Sequence, residues 1–235
     1  MAALADVHGN APALAAVLTE VELAAPDLIV FCGDLTWRSL PRETLELVRS
    51  LRIPARFVSG NGDRAVGTLF EGRGEWMAAA HSPVDLVFVA GFEQTVSVDI
   101  EGLGPTCFCH GSPRSDIECV TERTPAERVS EFMAGIDERV VVTAHVHVQY
   151  DRTVDGVRLL SPGSVGLPYE GRPGAYWALL GPDVELRRTD YGVEAAVAQM
   201  RATDDPRVET IVELMLEPPQ RDEAIARAEE VVFSE

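Results

Sequence analysis

Aspartate, histidine and asparagine recur in this chain where apolar runs stop. Asp6 and His8 stand in DVHGN, Asp34 in CGDL, Asn61 and Asp63 in SGNGDR, His110 in CHGS, and His145 and His147 in TAHVH. Carboxylate, imidazole and amide oxygen together suit a hard or borderline divalent cation such as manganese, iron, nickel, zinc or cobalt. No thiolate belongs to the set. Asp6, His8, Asp34, Asn61, His110, His145 and His147 are too many for one tetrahedral centre. They match two ions sharing a carboxylate, an arrangement that activates water near neutral pH and clamps phosphorus for in-line attack.

The elements that would position these residues follow from the pattern around them. MAALA is a short apolar start that stops at Asp6. APALAAVLTEVELA has helical apolar spacing, with Asn10 placed to cap it. DLIVFCGD and ARFVSGNGD read as short buried strands, and PRETLELVRSL as a helix opened by proline. That order predicts parallel pairing through crossover helices. Open sheets of this kind gather ligands at the carboxyl ends of their strands. Residues 64–91 are less clear, although SPVDLVFVAG predicts a short helix capped by Ser82. Beyond it, EQTVSVDIEG and PTCFCHGS pair as strands, and TPAERVSEFMAG is a helix capped by Thr124. RVVVTAHVH is a buried strand. YDRTVDGVRLLSPGS and GAYWALLGPDVELRRTD are hairpins turned at Asp155-Gly156 and near Gly181-Pro182. From Val193 onward the pattern is helical. Two sheets with helices on both outer faces accommodate this order, whereas a single all-parallel sheet cannot hold the two late hairpins.

The chain has 235 residues, enough to bury a sizeable core. Its formal net charge of −18 excludes a nucleic-acid polymer as main partner, because there is little basic surface to displace counterions. A phosphate substrate is not excluded, since bound metal inverts the local field. Cys32, Cys107, Cys109 and Cys119 read as buried thiols of a reducing compartment rather than a disulfide framework. No leader and no apolar run of membrane-spanning length is visible, so the expectation is a cytoplasmic protein with no membrane partner. A dinucleotide-binding fold would need a GxGxxG after the first strand, which is missing.

Taken together, the series DVHGN, GDL, GNGD, HGS and AHVH resembles the calcineurin-like metallophosphoesterase family, in particular its small prokaryotic phosphodiesterase-type branch. HGSPRSD and SPGSVGLP are similar to further segments of that branch, and the likeness runs from Asp6 to about Gly166. The resemblance implies a four-layer α-β-β-α sandwich of two mixed sheets. It implies one domain over 1–235 with helices 193–235 packed on it. It also implies roles for the matching residues. Asp6, His8 and His147 would bind a first metal, Asp34 would bridge, and Asn61, His110 and His145 would bind a second. A water or hydroxide between the metals would attack phosphorus. Asn61 and His110 would stabilise the phosphoryl oxygens, and Asn10 would support the site or touch phosphate.

Two positions depart from the family pattern. Gly62 stands where many members carry a histidine that protonates the leaving group, and Ala144 replaces the glycine of GHxH. Without that histidine, a candidate factor of roughly 10²–10⁴ is lost for poor leaving groups. The expected substrate is therefore a phosphodiester or a nucleotide phosphoanhydride. A phosphomonoesterase or protein phosphatase is the first alternative, and a non-catalytic scaffold of the same fold the second. Gly60 and Gly62 are expected to allow a tight turn that brings Asn61 to the metal. Asp63 either closes a turn or orients a ligating histidine. Arg64 and Arg114 could grip a small phosphoester or nucleotide, or pair with acids such as Asp116 and Glu118. SPGSVGLP could line the site or be a plain turn, and His81 is expected at the surface or as a cap.

Overall fold

The computed structural model describes residues 1–66 and 74–231. In chain order the elements are β1 (Ala2–Leu4), α1 (Ala11–Ala24), β2 (Ile29–Cys32), α2 (Pro41–Arg49), β3 (Ala55–Val58), α3 (Asn61–Val66), α4 (Gly74–Ala80) and α5 (Pro83–Ala90). Then come β4 (Val96–Ile100), β5 (Gly104–Phe108), α6 (Ala126–Phe132), β6 (Val140–Val142), β7 (Gln149–Val154) and β8 (Val157–Pro162). The last are β9 (Ala175–Leu180), β10 (Val184–Thr189), α7 (Val193–Arg201), α8 (Val208–Leu216) and α9 (Arg221–Val231).

Two five-stranded mixed sheets form, in the orders β10-β9-β1-β2-β3 and β4-β5-β6-β8-β7. Alternation along each strand decides which face meets what. Ala3, Ala5, Val30, Cys32 and Val58 of the first sheet meet Val96, Phe108, Val142 and Leu160 of the second in a core between the sheets. Their neighbours Ala2, Leu4, Ile29 and Phe31 turn outward onto Leu14, Val17 and Val21 of α1 and Leu45 and Val48 of α2. On the far side Cys107, Val141 and Leu159 meet Val129 and Phe132 of α6 and Ile225 of α9. The result is the expected four-layer α-β-β-α sandwich. Helices α7 and α8 close a further apolar cluster with Ala11, Leu40 and Leu167. All four cysteines are buried and free.

The parallel registers level the strand ends. Leu4 pairs with Phe31 and Cys32 with Val58, while Phe108 pairs with Val142 and Val142 with Leu160. Each hairpin foreseen in the sequence forms, β7–β8 across Asp155-Gly156 and β9–β10 beyond Leu180. Asp155 and Gly156 both take positive φ, as a two-residue turn of this kind requires. Asn10 caps α1 by accepting from the Ala13 amide, and Ser82 with Asp85 forms a capping box on α5.

Other details differ from the sequence reading. β3 is an edge strand and only half-buried, its Phe57 stacked between Phe31 and Phe92. Thr124 does not cap α6, whose N-cap is Pro125. Its hydroxyl accepts from the Thr121 amide and donates to Glu229 of α9, so it fastens the terminal helix instead. His81 is buried rather than at the surface. Its Nδ1 donates to the Met77 carbonyl at 2.7 Å and its Nε2 accepts from the Thr36 hydroxyl at 3.0 Å, pinning α4 to the loop after β2. Residues 67–73 of the unclear stretch, and 232–235 at the end, lie outside the described residues. No helix among the described residues is long and apolar enough to cross a membrane.

Candidate metal centre

Asp6, Asp34, Asn61, His110, His145 and His147 follow β1, β2, β3, β5 and β6 directly, and the level strand ends put them at one edge of the sandwich. His8 joins them one turn after β1. The structure brings these seven side chains together. His8 Nε2 lies 3.0 Å from His147 Nε2, and His110 Nε2 lies 3.1 Å from Asn61 Oδ1 and 3.2 Å from His145 Nδ1. Asp6 Oδ1 is 3.3 Å from His147 Nε2, and its Oδ2 accepts from the His145 amide. The Asp34 carboxylate spans the group, Oδ2 at 3.8 Å from His8 Nε2 and Oδ1 at 3.6 Å from His110 Nε2.

The far side of three rings fixes which nitrogen carries the proton. Carbonyl oxygens only accept, so His8 Nδ1 donates to Trp37, His110 Nδ1 to Cys32 and His147 Nδ1 to Leu167. In the neutral rings every Nε2 then presents a lone pair inward, where it meets other acceptors. Asp6 Oδ1 is buried there without a hydrogen-bond partner. Acceptor facing acceptor is repulsive until a cation sits between them. Among the described residues, two groups have the spacing to hold one, Asp6 with His8 and His147, and Asp6 with Asp34 and His110. Asp6 is common to both, while Asp34 touches the histidine of each. The donor types and the orphaned oxygen both fit divalent metal.

The backbone is bent to make this possible. Asp6, His8, Asp34, His145 and His147 all take positive φ, between 50° and 69°. Such conformations cost a non-glycine residue about 1 kcal/mol or more each and persist only where surroundings impose them. Ala144 does not share that conformation, so replacing glycine there is a small change. Its amide donates to the His110 carbonyl at 2.6 Å and couples the two histidine loops.

Burial and charge set the ionisation of the unliganded cluster. Burial pushes Asp34 up, with Asp6 adding to it against His110. Burial also pushes Asp6 up, but His147, His110 and His8 outweigh it and hold the carboxyl below its usual range. Burial, then Arg38 and His147, keeps His8 far below the ordinary imidazole range. His145 is driven down to about 3 by burial and by His110. Burial lowers His110 too, but Asp34 and Asp6 more than compensate.

The remaining expected residues are placed differently. Asp63 orients no histidine. Its two oxygens accept from the Leu35 and Gly60 amides at 3.0 Å each, tying the ends of β2 and β3, and burial with Asp34 pushes it up to about 7. Asn10 has its oxygen on the Ala13 amide and its nitrogen on the Gly166 carbonyl and the Tyr191 hydroxyl, so both of its donor protons serve the scaffold. Arg64 and Arg114 take the second course open to them, in two-pronged pairs with Asp116 and Glu118 at the surface. Within SGNGDR, Asn61 to Arg64 form the first turn of α3, and neither Gly60 nor Gly62 has positive φ. Their need is closeness. A Cβ on Gly60 would lie 2.2 Å from Asp34 Oδ1, and one on Gly62 would lie 2.7 Å from Trp37 Cβ.

SPGSVGLP proves to be the brace behind the metal ligands. Ser164 Oγ donates to the Asp6 carbonyl, the Gly166 amide donates to it as well, and Leu167 supplies the carbonyl that orients His147. A Cβ on Gly166 would fall 1.8 Å from the Val7 carbonyl oxygen. Sequence reasoning missed Arg38, which has no motif around it, and Tyr169, whose ring stacks on His147 with centroids 4.5 Å apart.

A family profile, the calcineurin-like phosphoesterase superfamily domain, matches residues 1–181. The chain belongs to that superfamily. Membership supports a metal-dependent hydrolase of phosphate esters. Among solved structures, a metallophosphoesterase from Sphaerobacter thermophilus is 26% identical, with a TM-score of 0.76 over 92% of this chain and 98% of that one. A hypothetical protein from Pyrococcus horikoshii OT3 has a TM-score of 0.78 at 18% identity, over 94% and 98% of the two chains. A novel archaeal phosphodiesterase shares the fold at 16% identity, with a TM-score of 0.51 over 80% of this phosphoesterase and 98% of its own chain. Among curated proteins, none matches the sequence.

Proposed function

We propose that this phosphoesterase hydrolyses phosphodiesters or nucleotide phosphoanhydrides at a centre of two divalent metals. The observation that carries the reading is the meeting of His8 Nε2 and His147 Nε2 at 3.0 Å, with Asp6 Oδ1 orphaned beside them. Asp6, His8 and His147 would hold one ion, Asn61, His110 and His145 the other, and Asp34 would span both. Bound there, the metals supply positive charge for the phosphoryl oxygens and lower the pKa of water.

The protein's own groups do the rest. The Cys32, Trp37 and Leu167 carbonyls hold three imidazoles with their lone pairs inward. Asn61 offers an amide NH2 to a phosphoryl oxygen once its Oδ1 is engaged. Position 62 has no protonating side chain, and Trp37 fills the adjoining space. Leaving groups that depart as stable anions are favoured for that reason. The terminal helices share apolar clusters with α1 and α6, which supports a single domain over 1–235. A reducing cytoplasm suits the four free thiols.

The test is turnover of bis(p-nitrophenyl) phosphate and p-nitrophenyl phosphate by manganese-reconstituted protein, with metal content measured and a chelated control. Chelator-sensitive turnover favouring the diester is expected. A preference for the monoester would leave the metals standing and remove the leaving-group argument.

A further inference from the structure

The first sheet ends at β10, whose outer rim is open. The strand inside it shows which backbone groups point outward. The amide and carbonyl of Leu180 both bond Met1, so Leu180 of β9 faces β1. Successive residues of a strand alternate in direction, so Leu179, Trp177 and Ala175 face β10. Their partners there are Glu185, Arg187 and Thr189. Val184, Leu186 and Arg188 are left with N–H and C=O directed away from the sheet. Among the described residues these groups have no hydrogen-bond partner. The rim of β3, at the other end of the same sheet, is closed by Glu93, whose amide and carbonyl bond Phe57 and Ser59.

Charged side chains commonly guard such a rim. Here the arginines fold back onto β9. The Arg187 guanidinium lies 5.2 Å from the ring centroid of Trp177, its ladder partner, and Arg188 reaches past Tyr176 to the Pro173 carbonyl at 2.7 Å. Leu186 between them is 38% exposed. A second copy that continues the sheet about a two-fold axis keeps every side chain on its own face, so one residue must stand opposite its own copy. Glu185, Arg187 or Arg188 in that place would set like charges together. The terminal residues Val184 and Thr189 would leave most of the strand unpaired. With Leu186 there, leucine meets leucine, and Glu185 stands opposite Arg187 of the copy on both sides of the axis.

We propose that β10 pairs antiparallel with β10 of a second copy, centred on Leu186, so that the two first sheets become one. Because α1 packs on β9 and β10, the two α1 helices would flank the seam. None of the candidate metal ligands lies in β10, so the pairing is read independently of turnover. A pair of six-residue strands is a small interface, and the dimer is expected to dissociate on dilution.

The experiment is sedimentation velocity on the full chain across a dilution series. Wild type should interconvert between monomer and dimer. Leu186→Pro removes an outward N–H without costing a bond to β9, and should give a folded monomer. Glu185→Arg and Arg187→Glu should each weaken dimerisation about tenfold, and their combination should restore it. Leu186→Cys should cross-link to its copy under oxidation, since Cα atoms in such a pair lie about 5.5 Å apart. Val184→Cys, roughly 14 Å from its copy, should not. A monomer at every concentration, a dimer indifferent to Leu186→Pro, or cross-linking at 184 in preference to 186 overturns the proposal. If Leu186→Pro does not fold, the charge variants decide, and failure of the combined exchange to restore the dimer overturns it.

Discussion

His8 and His147 meet nitrogen to nitrogen at 3.0 Å, although 139 residues separate them. Each ring has its other nitrogen committed to a carbonyl, so the contact sets lone pair against lone pair. Binding of a cation that the unfolded chain cannot hold stabilises the fold by mass action. At a hundredfold excess over Kd this is about 3 kcal/mol, or roughly 6–10 °C in Tm for a chain of this size. Thermal unfolding should therefore fall by about that much on chelation and recover when manganese or zinc is restored. A Tm indifferent to chelator would take the cation out of the site.

The Gly62–Trp37 contact predicts an outcome that a motif comparison would not. Introducing histidine alone, as Gly62→His, forces Trp37 aside and should cost about 1–3 kcal/mol without improving phosphomonoester turnover. Combining it with Trp37→Ala should return most of that stability and raise monoester turnover relative to diester. Denaturant unfolding and the two nitrophenyl substrates check both halves.

Asn10 joins α1, the Gly166 loop and Tyr191, and that loop orients His147. Asn10→Ala removes a cap and strands a buried carbonyl, for about 2–3 kcal/mol in all. Metal affinity should weaken as well, because Leu167 loses its anchorage. Asn10→Asp keeps the capping oxygen and loses only the two donors, so it should cost less in stability yet still loosen the metal. Equilibrium unfolding and metal titration of the two variants separate the cap from the brace.

Asp85 predicts an acid dependence away from the site. It completes the capping box on α5 and pairs with Arg49. Burial pushes the carboxyl up, but the bonds from Arg49 and Ser82 outweigh it and hold Asp85 down to about 2 against an ordinary 3.8. A depressed carboxyl stabilises fully above its unfolded pKa and loses that contribution as pH falls through its folded value. Asp85→Ala should thus cost about 1–2 kcal/mol at pH 7, with the difference from wild type narrowing between pH 4 and pH 2. A pH-independent difference would show that the cap acts through packing alone.

The layered fold was legible because its signals are local and repeated. Short apolar runs alternate with amphipathic helices, and Asp155-Gly156 and Ser82-Pro83 punctuate them. The gathering of Asp6, His8, Asp34, Asn61, His110, His145 and His147 was legible for a topological reason, since parallel strands end at one edge. Contacts between distant segments were not. Gly62 looked like a turn residue because nothing in SGNGDR reveals that Trp37 lies against it. Asp63 could be read either as a turn former or as a partner for histidine, and only the structure shows its oxygens taken by the amides of Leu35 and Gly60. Arg38 has no periodicity or motif to mark it, and only the absence of a partner for its Nε singles it out.

The left-handed backbone at Asp6, His8, Asp34, His145 and His147 bears on how this chain would evolve. At these positions selection for stability and selection for chemistry pull in opposite directions. Glycine or asparagine would sit there with less strain than the residues now present. A duplicate gene released from catalysis should accumulate those two residues at the five sites, so that the stability of its metal-free form rises while the stabilisation by metal is lost.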